Sequence, residues 1–396
     1  MAVSLERDVT NDEHWTEFTH QWLIRADTTY LNHGSFGPPS QFVKQKRRQW
    51  IDELDSQPMD FYCRKLEPEL LKTRADLARF VGTESANLVL VENATFGMNV
   101  VADSFPLQSG DEVLTNNHEY GAVHRIWNRR CKRVGAKLVS VDLPEKIDSR
   151  EQVVDRLLSA ATERTKILIV SHITSVTALV MPIREIVAAF HQRGIAVVID
   201  GPHAPAQIDL DISSIDCDFY TASCHKWLSA TLGSGFLFVH PKWQQHVEPQ
   251  LKSWGRLMPA MPEHWSEEFT WSGTRDPSAY LSISDAIDYL ENHVGLIAFR
   301  NRTRFLATQC EEILSSEFGT TPIASREKGW YASMAHIPLP EGHDFEALQK
   351  TLWEEYRIET PVSHFSDRWY IRVSFHLYNN QKQIETLKFA IQKYLV

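Results

Sequence analysis

IAVVID (195–200) and DFYTASCHKW (218–227) decide the architecture of this chain. The first run is apolar up to its last residue and the second carries Phe, Tyr and Ala among small polar residues, which suits interior strands covered by helices on both faces. Each also delivers a charge at its carboxyl end. Asp200 closes the first, and Lys226 stands near the end of the second, 26 positions later. Unpaired burial of a charge is costly, so an acid and an amine at such ends must face a partner or a cleft.

Outward from this pair, strands and helices alternate from about residue 86. ANLVLVE reads as a strand, followed by a helix from near Thr95 to before Pro106. DEVLT is a strand, and EYGAVHRIWNRRCKRVG a helix closed by Gly135. KLVSVDLP and KILIVSHI are strands, with the helix REQVVDRLLSAAT between them. PIREIVAAFHQRG is a helix with proline at its start and glycine at its end, and GFLFVH is the last strand. This order predicts an α/β fold with a mostly parallel, doubly wound sheet, in which ligands collect at the strands' carboxyl ends. After about residue 290 the texture changes to helices (VGLIAFRNRTRFLATQCEEILSSEFG, HDFEALQKTLWEEY) mixed with short strands (WYASMAHIPL, WYIRVSFH), as in a smaller α+β domain. The expected division is 31–288 for the large domain and 289–396 for the small one, with segment 1–30 packing on the small domain.

Bulk properties narrow the function. The chain has 396 residues, 43% hydrophobic and 23% charged, with 12 Trp, 19 Phe and 11 Tyr, enough for a large core. A net charge of −10 argues against a nucleic-acid or anionic-membrane binder. The one basic run, KQKRRQW (44–50), reads as a solvated helix face. The amino terminus lacks a signal-peptide core, and no apolar run approaches the roughly 18 residues that span a bilayer. Cysteines 63, 131, 217, 224 and 310 are odd in number and without a CxxC pair. That pattern suits free thiols and a cytoplasmic location. No metal site is expected: His118 and His124 are six apart, not three or four, and no Cys/His cluster occurs.

The chemistry follows from the two charges. Lys226 lies among small residues and a tryptophan, where desolvation frees its amine to attack an aldehyde. A buried Asp200 needs a cation, and a protonated pyridine nitrogen is one. A Schiff-base lysine with a carboxylate holding a pyridinium is how a protein uses pyridoxal 5'-phosphate (PLP) as an electron sink. ENATFGMN starts a helix whose free backbone N–H groups at Ala94 and Thr95 suit an anion, with Ser223 and His225 as further phosphate donors. HEYGAV offers Tyr120 as a stacking ring.

The chain resembles the class V branch of fold-type I PLP enzymes, and within it the proteins called isopenicillin N epimerase-like. The matching stretches are YLNHGSFG (30–37), NATFGMN (93–99), HEYGAV (118–123), SHITSVTALVMPI (171–183), IDGPHA (199–204), TASCHKW (221–227), WSGTRD (271–276) and YIRVSFHLYN (370–379). They occur in family order over most of the chain. The resemblance implies an aspartate aminotransferase-like fold with a seven-stranded large-domain sheet. It implies that Lys226 forms the internal aldimine, that Asp200 pairs with the ring nitrogen, and that His203 lies near the phenolic oxygen. It places Tyr120 over the ring and gives the phosphate to Thr95, Ser223 and His225, joined by Thr274 from a second subunit of a homodimer. Arg372 is implied to grip the substrate carboxylate, and Asn32 and His33 to lie in the loop lining the substrate cavity. Ala178 departs from a frequent family glycine.

Such a site acts at the Cα of a small-molecule substrate, an amino acid or amino-acid conjugate. Epimerisation or transamination is the first expectation, and β-elimination from a cysteine conjugate by a C–S lyase the second. A non-catalytic regulator of the same fold is a remote third. Epimerisation calls for a second acid/base, for which Tyr120, His33 and His364 are the candidates. No cysteine follows Cys310, so persulfide chemistry of the cysteine desulfurase kind is not expected.

Overall fold

The computed structural model describes residues 7–256 and 261–396. Its central sheet has seven strands: β1 (Leu88–Val91), β2 (Glu112–Asn116), β3 (Lys137–Val141), β4 (Thr165–Ser171), β5 (Ala196–Asp200), β6 (Phe219–Ser223) and β7 (Gly235–Val239). They lie in the order β1-β7-β6-β5-β4-β2-β3. Only β7 runs antiparallel to its neighbours. The fold class read from the sequence therefore holds.

Successive residues of each strand point to opposite faces, so continuous apolar runs imply two covered faces. Ile167 and Ile169 of β4 join one core with Val198 and with helices α3 (Ala94–Ser104) and α4 (Gly121–Val134). Leu168 and Val170 join a second core on the other face, with α5 (Arg150–Ala160) and α6 (Ile183–His191). Before α3, helices α1 (Gln41–Ser56) and α2 (Leu66–Phe80) precede the sheet, and α7 (Ser278–Asp288) packs on both. Within the basic run on α1, Arg47 is not simply solvated: it donates to Ser278 Oγ at 3.0 Å and pairs with Asp276 at 3.4 Å.

The helical run Ser278–Val294 crosses positions 288 and 289 unbroken and ends at Gly295, whose φ of +88° suits glycine. Beyond it, α8 (Leu296–Phe318) and α10 (Gln381–Tyr394) flank an antiparallel sheet of β8 (Met334–Pro338), β9 (Val362–Phe365) and β10 (Arg368–Ser374). Helix α9 (Leu348–Tyr356) starts later than HDFEALQK suggests. There the Asp344 carboxylate accepts the Glu346 N–H at 2.9 Å, a local turn that competes with helix.

Ile371 and Val373 of β10 face the core against α8 and α10, so Tyr370, Arg372 and Ser374 face the large sheet instead. The first six residues of the expected 1–30 segment lie outside the described residues. The rest of it reaches both parts: Arg302 of α8 donates to the Val9 carbonyl at 2.7 Å, while Trp15, Phe18 and Trp22 enter the larger core. Thr29–Tyr30 then pairs in parallel with Ile358–Glu359. This delivers the loop 31–37 to the seam between the two sheets.

Candidate active site

Strand β5 ends at Asp200 and β6 at Ser223, and the turn after β6 returns Lys226 to the same edge. Asp200 is only 4% exposed. Burial raises its carboxyl well above the usual range, the Glu119 carboxylate adds to the rise, and Lys226 opposes it. Half-buried Lys226 shifts the other way. Burial lowers its amine to about 8, Arg372 helps, and Asp200 resists. His203 stands beside it, Nε2 at 3.2 Å from Lys226 Nζ, and Trp227 Nε1 donates to His203 Nδ1 at 3.2 Å.

The turn carrying Lys226 is held from beneath. His33 donates from Nε2 to the Lys226 carbonyl at 2.9 Å, and the Tyr378 hydroxyl lies 2.9 Å from its Nδ1. The His33 ring stacks on His376, with centroids 3.9 Å apart and planes at 15°. A Cβ on Gly37 would fall 2.6 Å from the Lys226 carbonyl, so the loop passes where only glycine fits. These contacts correct one expectation. His33 is fully buried under the lysine turn and does not line a substrate cavity. Burial lowers its imidazole to about 3, which also removes it as a second acid/base.

At the start of α3, Asn93 caps the helix by accepting the Phe96 N–H at 2.9 Å. The Ala94 N–H donates to Ser223 Oγ at 3.0 Å, which leaves the Ser223 hydroxyl proton free to donate elsewhere. Thr95 is exposed on the same first turn. His225 Nδ1 is buried with no hydrogen-bond partner. Buried polar atoms are nearly always satisfied, so this one asks for a ligand or water. A helix N-terminus, a free hydroxyl and an orphaned imidazole nitrogen beside a reactive amine fit the phosphate of PLP.

Tyr120 caps α4 and is 45% exposed. Glu119 beside it was not singled out from the sequence, although HEYGAV contains it. Its Oε1 accepts from Ser171 Oγ at 2.6 Å and from the Tyr120 N–H at 2.7 Å, while Oε2 is buried without a partner. Burial raises this carboxyl to about 7. Ser171 is the cross-strand partner of Asp200, so two buried acids share one strand edge.

Arg372 faces them from β10, 6% exposed. It donates to the Ser175 carbonyl, to Ser35 Oγ at 2.8 Å and to Asn32 Oδ1 at 3.2 Å, and its Nε is buried without a partner. No carboxylate pairs with it among the described residues. Burial lowers it to about 10, with Tyr120 resisting. A buried guanidinium without an acid costs several kcal/mol, roughly, unless an anion arrives. The substrate's carboxylate is such an anion. Ser35 and Ser175 join this group from motifs quoted above, but nothing in their spacing marked them.

One further expectation, at His364, is overturned. His364 is exposed on β9, pairs with Trp369 and therefore shares the strand face opposite Arg372. It is not a second acid/base of this cleft. Thr274 is exposed and makes no hydrogen bond among the described residues, though its neighbour Arg275 lies 3.4 Å from Glu92, just before α3. Ala178 has φ +59° and is fully buried, a left-handed conformation that glycine adopts without strain.

The family model for class-V aminotransferases matches residues 64–387. The isopenicillin N epimerase of Streptomyces clavuligerus is 32% identical over 388 residues, covering 95% of this chain and 97% of that one. A putative L-cysteine desulfhydrase of Oryza sativa subsp. japonica is 28% identical, covering 95% and 84%. Among solved structures, C-DES with glycine covalently linked to its PLP cofactor superposes with a TM-score of 0.79 at 19% identity, covering 93% and 97%.

Proposed function

The chain belongs to the class-V aminotransferase family and is a PLP-dependent enzyme, and on that premise we propose that it removes the Cα proton of an amino acid or amino-acid conjugate. When bound, PLP supplies the electron sink for the charge left at Cα. Lys226 would hold the cofactor aldehyde, and its Nζ is the group placed to accept the Cα proton. Its amine, lowered to about 8, has a far larger neutral fraction near physiological pH than an ordinary lysine. Asp200 would pair with the ring nitrogen, and His203, beside Lys226, would lie near the phenolic oxygen. Ser223, His225 and Thr95 would hold the phosphate, with Tyr120 over the ring; the Ala94 N–H, expected to be free, is already taken by Ser223 Oγ and instead orients that hydroxyl. Arg372 takes the substrate carboxylate with Asn32 and Ser35 orienting it. The observation that carries this reading is a buried arginine with no acid, facing a buried amine–acid pair.

Return of the proton from the opposite face is the first outcome, in line with the epimerase relatives. Of the candidates for that face, His33 and His364 are set aside by their placement, which leaves Tyr120. β-Elimination needs only Lys226 as base, so the same observation favours a C–S lyase as the second reading, in line with the desulfhydrase relatives. Incubating holoenzyme with L-amino acids and cysteine conjugates in deuterated water separates them. Deuterium at Cα with inversion marks epimerisation, a keto acid marks transamination, and pyruvate with free thiol marks elimination. Absence of all three, with no deuterium exchange, keto acid or thiol release from any substrate, would refute Cα chemistry altogether.

Sulfur transfer to a protein thiol is not part of the proposal. Cysteines 131, 217, 224 and 310 are buried and only Cys63 is exposed, and burial pushes the Cys131 thiol up to about 11. A persulfide on any of them, seen by intact mass after cysteine treatment, would overturn this. A homodimer with a shared site is also proposed. Exposed Phe36 and Leu232, at 70% and 58%, leave an apolar surface beside the lysine turn that a second copy would cover. A monomer in sedimentation at micromolar concentration would refute it. No helix among the described residues is long and apolar enough to cross a membrane.

A further inference from the structure

We infer that Trp227 sets the tautomer of His203, and through it holds Lys226 as a neutral amine that accepts the hydrogen bond between them. Trp227 is fully buried, and an indole N–H can only donate. Its Nε1 lies 3.2 Å from His203 Nδ1, so that nitrogen must offer its lone pair. His203 is 1% exposed, and burial, with Lys226 and Arg372 nearby, holds its imidazole neutral. The single ring proton must then sit on Nε2. That nitrogen is 3.2 Å from Lys226 Nζ. An N–H aimed at an ammonium would set donor against donor, whereas a neutral amine accepts it.

The groups around Lys226 come from several elements: Asp200 at the end of β5, His203 in the turn after it, His225 before Lys226 in the chain, and Arg372 on β10. Among these only Asp200 favours the ammonium. If the indole were lost, the His203 proton could move to Nδ1, and the Nε2 lone pair would then stabilise the ammonium as well. Trp227 is thus a positioning residue that acts through His203 on the nucleophile. The functional meaning rests on Lys226 being the cofactor amine, but the tautomer does not.

The test has two arms on the apoprotein. With histidine ¹⁵N-labelled, the His203 signals, assigned by their loss in His203→Gln, should show a protonated Nε2 and a bare Nδ1. A proton on Nδ1 in the unaltered protein overturns the inference, whatever the variants do. In the second arm, capture of PLP by the apoprotein is followed by absorbance against pH. Trp227→Phe should raise the midpoint by about one unit, making capture below pH 8 about tenfold slower. In the His203→Gln background the amide can accept from Trp227 and donate to Lys226 with no tautomer to lose. There Trp227→Phe should shift the midpoint little. An equal shift in both backgrounds means loss of packing and refutes the tautomer role. If Lys226 never captures PLP, the proposed function fails while the ¹⁵N result still stands.

Discussion

Lys226 and Arg372 are both cations in a protein interior, yet they are treated in opposite ways. Lys226 emerges from the edge of the large sheet opposite Asp200, and its surroundings push it toward neutrality. Arg372 stands on the small sheet, hydrogen-bonded to a carbonyl, a hydroxyl and an amide oxygen but to no carboxylate. Lysine escapes the cost of burial by losing a proton, and arginine does not. One region therefore stores a nucleophile and the other stores an unmet demand for an anion. A substrate carrying both an amine and a carboxylate answers both.

The sharpest way to break this comparison is Lys226→Ala. It should abolish the covalent absorbance band of bound PLP and lower turnover about 10²–10⁴-fold or more, as loss of a base and nucleophile does. Retained turnover would place the chemistry elsewhere. Arg372→Ala comes next. It should cost about 2–5 kcal/mol in kcat/KM, the usual loss when one partner of a buried charge pair is truncated. PLP affinity, measured by titration, should stay close to that of the unaltered protein. Equal loss of both would deny the division of labour between the two cations.

A third measurement sharpens the acidic side of the comparison. Glu119 is raised from 4.5 to about 7, so between those values the folded apoprotein holds a proton that the unfolded chain has lost. Its contribution to stability is complete below pH 4.5 and is lost as pH rises through 7. Glu119→Gln should flatten that decline by up to about 3 kcal/mol, read as the difference in denaturation midpoint at pH 5 and pH 8. The slope left behind combines Asp200, whose carboxyl is raised as well, with buried histidines such as His33 and His118, whose lowered imidazoles act in the opposite sense. An unchanged slope would mean that Glu119 keeps its charge in the folded state. The smallest effect is expected at Ala178, where φ is +59°. Ala178→Gly should stabilise the apoprotein by about 1 kcal/mol, visible as a higher denaturant midpoint. A lower midpoint would show that the methyl group's packing outweighs the strain.

The amino-acid sequence by itself determined the strand–helix alternation, the two-sided burial of the strands, and the arrival of Asp200 and Lys226 at one edge. Those properties are local: they depend on apolar runs, caps and short turns, and Gly135 at φ +77° ends α4 where the helix was read to stop. Only the tertiary structure decided what surrounds the two charges. His33, Lys226 and Tyr378 lie far apart in the chain and meet under one turn, so no spacing could announce that His33 holds a backbone carbonyl instead of a substrate. Likewise the strand faces of the small sheet, fixed by which residues fill its core, turned Arg372 inward and His364 away. Periodicity along a chain encodes which side of an element is buried. It does not encode which distant element will cover that side, and the chemistry of this cleft is written in those contacts.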